Sequence, residues 1–188
     1  MKKEIITING FPGSGKSSTA NMVAKTLEYE RFSSGDFMRK IAVDMGMSIN
    51  ELNIKAETDK SIDTEIDNEV KKAGELTKIV IDSRMAFHWI PESFKVYLDL
   101  PQEIAKERIL NNLKTNKLRQ DSENATTEEE VYQRIIERLE SENKRYMSLY
   151  GVDNTKKEEY DLVVDTNQNN LEEVVSKIIT EYKKWLTE

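Results

Sequence analysis

Hydrophobic residues in this chain gather into short runs separated by longer periodic stretches. Runs rich in β-branched residues at 4–9, 78–82, 94–99 and 162–165, with a weaker one at 29–33, predict five strands. Between them a 3.6-residue spacing predicts helices beginning near Lys16, Asp36, Ser48, Asp59, Pro101, Thr127 and Asn170, several opened by a capping side chain or by proline in the first turn. Strands that alternate with helices imply a parallel sheet with helices on both faces. Two stretches break the alternation. Residues 36–74 carry helical pattern with no strand and are expected to form a small helical insert; residues 111–128 are polar, rich in Lys, Asn and Thr, without period, and are expected to form a lid.

The length of 188 residues suits one domain of roughly 16 Å radius of gyration and is too short for two ordinary ones. Lys and Arg total 28 against 35 Asp and Glu, a formal charge of −7, which argues against a sequence-independent grip on nucleic acid or an anionic membrane. The absence of cysteine excludes a disulfide framework, a thiolate metal site and a cysteine nucleophile, and fits a reducing compartment. Apolar runs are only a few residues long, and Met1-Lys2-Lys3 leads into a strand-like segment with no signal-peptide core. A soluble, unprocessed, cytoplasmic chain is therefore expected.

The sequence Gly10-Phe11-Pro12-Gly13-Ser14-Gly15-Lys16-Ser17 fits G-x-x-x-x-G-K-[ST] and lies between the first strand and a helix running to about Leu27. The glycines allow a concave nest of N–H donors, and the helix N-terminus adds positive potential. Lys16 supplies a point charge for β- and γ-phosphates, and Ser17 a hydroxyl for Mg²⁺. Gly10, Pro12, Gly13, Ser14, Gly15, Lys16, Ser17 and Ser18 are thus the candidate contacts for a nucleoside triphosphate. A GTPase would need N-K-x-D after a late strand, and Asn116-Lys117-Leu118-Arg119 lacks the acid.

A second phosphate site is suggested after the next two strands. Ser34, Asp36 and Arg39 open one helix, while Asp82-Ser83-Arg84 ends the strand 78–82. An arginine fork holds two phosphate oxygens at once, and Asp82 is a candidate to hold Mg²⁺ through water. On a helix from about Thr127 to Tyr150, Arg134, Arg138 and Arg145 fall within about 40° of one another, a stripe beside Val131, Ile135 and Leu139. His88 and the methionines are read as packing residues.

These segments carry a resemblance. The chain is similar to the nucleoside monophosphate kinases over nearly its full length, and specifically to the archaeal-type cytidylate kinases. The residues involved are 10–17, Ser34-Gly35-Asp36 with Arg39, Met45-Gly46-Met47-Ser48, Ile62-Asp63 with Ile66-Asp67, Asp82-Ser83-Arg84, and Arg138 through Ser141-Glu142 to Lys144-Arg145-Tyr146 with Tyr150-Gly151. The resemblance implies an α/β three-layer P-loop fold with a five-stranded parallel sheet, a helical monophosphate-binding insert and a lid. It implies Mg²⁺-dependent transfer of the ATP γ-phosphoryl group to CMP or dCMP by a cytoplasmic monomer that binds neither nucleic acid nor membrane. Arg39, Arg84, Arg138 and Arg145 are assigned to the acceptor, Arg108, Arg119 and Arg134 to the ATP phosphates or the lid, and Asp63 and Asp67 to the acceptor base. Related kinases carry an arginine where this chain has Asn112, and Arg119 is expected to take its place. An adenylate kinase, a broader pyrimidine monophosphate kinase, or an NTP-binding switch that transfers to no small acceptor stay open as alternatives.

Overall fold

A computed structural model describes residues 2–115 and 127–188. Its centre is a five-stranded, all-parallel sheet of β1 (Ile5–Gly10), β2 (Glu30–Ser33), β3 (Ile79–Asp82), β4 (Phe94–Asp99) and β5 (Leu162–Asp165), in the order β2-β3-β1-β4-β5. The strand Ile-Ile-Thr-Ile-Asn-Gly is buried along its whole length, as a central strand covered on both faces must be. Its register pairs Ile6 with Val80 on one side and with Phe94 on the other.

Among the described residues the helices are α1 (Lys16–Leu27), α2 (Ser34–Asp44), α3 (Ile49–Ala56), α4 (Lys60–Ala73), α5 (Ala86–Trp89), α6 (Gln102–Thr115), α7 (Glu128–Tyr150) and α8 (Leu171–Thr187). One face of the sheet packs Ile6, Ile8, Val96 and Leu98 against Val23 of α1 and Ile178 of α8. The other packs Ile5, Ile79 and Ile81 against Val70 of α4 and Ile90. The result is the three-layer α/β P-loop fold. Helices α2 to α4 share a separate core of Met38, Ile41, Ile49, Leu52, Ala56 and Ile62, and α6 meets α7 through Ile109, Val131, Tyr132 and Ile135.

Local signals set the helix starts. Ser48 with Glu51, Thr127 with Glu130, and Asn170 with Glu173 form reciprocal capping boxes at α3, α7 and α8. Helix α2 starts two residues before Asp36, because the Ser33 hydroxyl accepts from the Asp36 N–H at 3.3 Å and so makes Ser33 the cap. Residues 111–115, read from the sequence as the start of an aperiodic lid, continue α6 instead; once a helix is nucleated each added residue gains a hydrogen bond, even where the residues are polar. At the other end Thr127 caps α7 and Glu128 begins it. The rest of the expected lid, Arg119 included, lies outside the described residues. Among the described residues no helix is long and apolar enough to cross a membrane.

Candidate active site

The C-terminal edge of the sheet gathers the chemistry, as parallel α/β sheets do where strand order reverses. Asn9 is the penultimate residue of β1, and its buried amide is oriented by two acceptors, the Asn154 carbonyl at 3.0 Å and the Tyr160 hydroxyl at 2.7 Å. Its Oδ1 in turn accepts from the Gly10 N–H at 2.7 Å, fixing the entry to the loop. A Cβ on Gly10 would sit 2.5 Å from the Leu98 carbonyl and 2.8 Å from Ser14 Oγ, so only glycine fits there. Gly15 is the N-cap of α1 in the left-handed conformation and gives no side-chain cap, which leaves the N–H groups of the first turn facing the cleft. The buried Ser14 hydroxyl has no partner. Lys16 folds over the loop, its Nζ donating to the Gly10 carbonyl at 2.9 Å. An open nest of donors, a buried hydroxyl without an acceptor and a lysine on the rim fit a polyphosphate.

Beside the loop, Ser17 Oγ donates to Asp82 Oδ2 at 2.9 Å. Two hard oxygen donors at that spacing fit Mg²⁺, which keeps several waters and takes its other ligands from phosphate oxygens. No group of three or more His, Cys, Asp or Glu forms a dedicated metal cage among the described residues.

A cleft of about 330 Å³ runs from this loop toward α2, α4 and α7. Pro12, Gly13, Gly15, Lys16, Ser17 and Ser18 line one side. Ser34, Arg39, Arg84, Arg138 and Arg145 line the other, with Asp82 and Ser83 between. Several of these cations are already engaged. Arg39 Nη2 donates to Asp36 Oδ1, and Arg84 Nη1 to Glu142 Oε2. Burial acts to raise the Asp36 pKa, but the guanidinium groups of Arg39 and Arg31 outweigh it and hold that carboxyl below its ordinary value. Arg145 is buried and cross-links three elements: Nε and Nη2 reach both oxygens of Asp63 on α4, Nη1 and Nη2 the side-chain Oδ1 of Asn53 on α3, and Nη1 the Ser141 hydroxyl. The far end of the cleft is lined by Met38, Ile49, Ile66, Asp63 and Tyr146. Burial pushes the Tyr146 hydroxyl well above its usual pKa, so it stays neutral.

Some expected residues stand elsewhere. Asp67 does not line the cleft. Its oxygens are taken by the Trp89 indole N–H at 3.0 Å and the Tyr150 hydroxyl at 2.5 Å, so its helix position turns it into a buried anchor for α4 and leaves no lone carboxylate for a base. Arg134, half-buried one turn before Arg138, lies off the cleft lining, as does Asp36. Arg108 borders a neighbouring hollow with Gly13, Ser14, Gly15 and Ser18, where its Nη2 donates to the Thr166 carbonyl at 2.8 Å. Two residues given no site role by the sequence also matter: Glu142, buried and holding Arg84, and Arg31, whose side chain reaches both Asp82 and Asp36.

Residues 9–144 match the family described as AAA domain. Among curated proteins, the cytidylate kinase of Sulfurisphaera tokodaii is 34% identical over 188 residues, covering 97% of this chain and 96% of that one. The cytidylate kinase of Methanosarcina barkeri is 33% identical over 169 residues, 88% of each chain. This chain belongs to the cytidylate kinase family. The family's sequence also recurs within a larger protein: an S-adenosylmethionine-dependent nucleotide dehydratase of Lacinutrix mariniflava is 33% identical over 184 residues, but the match spans 36% of its length. Solved structures agree on the fold of this family member. A shikimate kinase from Aquifex aeolicus superposes with a TM-score of 0.56 at 19% identity, covering 95% of this chain and 96% of that one. An uncharacterized protein from Eubacterium ventriosum reaches 0.63 at 15%, covering 95% and 98%.

Proposed function

We propose that this chain transfers the γ-phosphoryl group of ATP to CMP or dCMP, giving ADP and CDP or dCDP. The observation that carries the reading is the cleft that Lys16 and its loop neighbours Pro12, Gly13, Gly15 and Ser17 share with Arg39, Arg84 and Arg138. A triphosphate on the loop and a monophosphate on the arginines bring about six negative charges together, and a loose phosphoryl-transfer transition state asks for positioning and charge stabilisation far more than for a side-chain base.

In this reading the loop amides and Lys16 hold the donor phosphates, and Arg108 lies on the donor side. Mg²⁺, held by Ser17 and Asp82, would neutralise charge on the β- and γ-oxygens when bound. Arg39, Arg84 and Arg138 hold and orient the acceptor phosphate, and Asp36 and Glu142 keep two of these forks aimed before substrate arrives. Arg145 with Asp63 borders the acceptor's base end. Both sites belong to one chain, so the reaction needs no second subunit, and the charge of −7 gives no support to nucleic-acid or membrane partners. The cytoplasm, where ATP and monophosphates occur together, is the place proposed.

A coupled assay of ADP release against each common nucleoside monophosphate tests this. ADP release that depends on CMP or dCMP, with kcat/KM at least about tenfold above that for AMP, is expected. A preference for AMP would move the chain to an adenylate kinase, and ATP hydrolysis indifferent to any monophosphate would make it a switch.

A further inference from the structure

Arg31 lies on the edge strand β2, where a lone cation ordinarily reads as a solvated side chain. In the structure it is the middle of a chain of five polar groups. Ser17 Oγ donates to Asp82 Oδ2 at 2.9 Å, and the same oxygen accepts from Arg31 Nη2 at 3.1 Å. Arg31 Nη1 donates to Asp36 Oδ2 at 3.1 Å, and the other Asp36 oxygen accepts from Arg39 Nη2. In the reading above Ser17 and Asp82 serve the donor nucleotide and Arg39 the acceptor; Arg31 is the link common to both. Its side chain is 21% exposed and that of Asp82 6%, so the Arg31–Asp82 pair is screened less than a surface pair, while Asp36 and Arg39 are half-exposed.

One guanidinium is therefore shared between two carboxylates, and its hold on one is set by what else the other carries. When Arg39 turns from Asp36 to an acceptor phosphate, Asp36 loses one of its two cations and draws Arg31 more strongly. The hold on Asp82 weakens, and Asp82 and Ser17 are released to serve the donor side. In the opposite direction, engagement of Asp82 on the donor side shifts Arg31 toward Asp36 and frees Arg39. The planar fork reaches the two carboxylates from separate nitrogens; a lysine ammonium has a single nitrogen on a flexible stem and must draw both carboxylates to it.

Resting on the reading of function above, we propose that Arg31 is a positioning residue that couples the two sites, so that each nucleotide raises the affinity for the other. Coupling of this kind is reciprocal by thermodynamic necessity. The test is calorimetric titration of CMP with and without the β,γ-imido analogue of ATP plus Mg²⁺, on the wild type and on Arg31→Met and Arg31→Lys. In the wild type the analogue tightens CMP binding about tenfold. In both variants the factor falls to about twofold or less while each ligand alone binds within about threefold of wild type. Steady-state kinetics give a second readout: the CMP KM falls as ATP rises in the wild type and is independent of ATP in the variants. Arg31→Lys keeps a charge at the site, and its melting temperature checks that the fold is intact. An undiminished factor in both variants overturns the proposal, as does a wild type with no coupling, or a loss of single-ligand affinity as large as the loss of coupling. A wild type that binds the ATP analogue but no CMP would instead overturn the acceptor assignment on which the proposal rests.

Discussion

Arg145 on α7 meets Asp63 on α4 edge to edge, Nε donating to Oδ2 at 2.7 Å and Nη2 to Oδ1 at 3.3 Å. Burial acts to lower the Arg145 pKa, but the bond and the charge of Asp63 outweigh it, and the guanidinium stays charged. Because Asn53 and Ser141 take its remaining donors, this side chain joins α3, α4 and α7. A lysine cannot reproduce two parallel bonds. Arg145→Lys is expected to destabilise the fold by about 2–3 kcal/mol, below the roughly 3–5 kcal/mol for removing one partner of a buried pair because the charge is kept, and to weaken CMP binding as well. Urea unfolding checks the first part; a loss under about 0.5 kcal/mol would place Arg145 outside the structural core of the site.

Lys16→Met should reduce kcat by at least about a hundredfold with little change in melting temperature. The lysine is half-buried at the start of α1, and its bond to the Gly10 carbonyl is local. Turnover near the wild-type rate, measured by ADP release, would remove the loop from the reaction.

Arg39→Ala and Arg84→Ala should both raise the acceptor KM and lower kcat, since a phosphate contact binds and orients together. They differ in stability. Arg39 is half-exposed and its partner Asp36 is too, so its removal costs little. Arg84 is the ion-pair partner of buried Glu142, and its removal takes that cation from a buried carboxylate at a cost of about 3 kcal/mol. Melting curves of the two variants side by side decide this, and equal curves would contradict it.

Asp67 gives a pH signature. Burial raises its pKa, the bonds from Tyr150 and Trp89 offset part of that rise, and the folded value lies above the ordinary 3.8. The folded state therefore binds the proton more tightly than the unfolded state, and this contribution to stability is full below about pH 4 and declines as pH rises through the folded pKa. The difference in unfolding free energy between wild type and Asp67→Asn should fall with pH across that window and level off above it. A difference that rises with pH would show that the hydrogen bonds outweigh burial.

What could be read from the sequence divides by distance along the chain. The loop 10–17 announces itself because four fixed positions sit between a strand and a helix, all within about ten residues. Arg39 and Arg84 are visible because each follows a strand of a parallel sheet, whose ends converge. Asp67 is misread because the groups that claim it, Trp89 and Tyr150, lie 22 and 83 residues away, and one helical turn from Asp63 it looks like a second base contact. Glu142 and Arg84 are 58 residues apart, so neither pattern points to the other. Arg31 shows nothing locally beyond a cation on an edge strand. Residues 111–115 carry no apolar period, yet they extend a helix that earlier residues have already started.

The strand order also sets a timetable. β1 is the middle strand, and its two neighbours, β3 and β4, begin at Ile79 and Phe94. At a synthesis rate of about 5–20 residues per second, Ile5, Ile6 and Ile8 wait roughly 4–15 s before the first strand able to pair with them exists. During that interval the central strand of the sheet is an unpaired ribbon with both edges open, at its most vulnerable to wrong partners. α1 follows it directly and offers Ala20, Val23 and Ala24 as early cover for one face. The helix whose first turn lines the cleft in the finished protein is thus also the first shelter of the nascent chain.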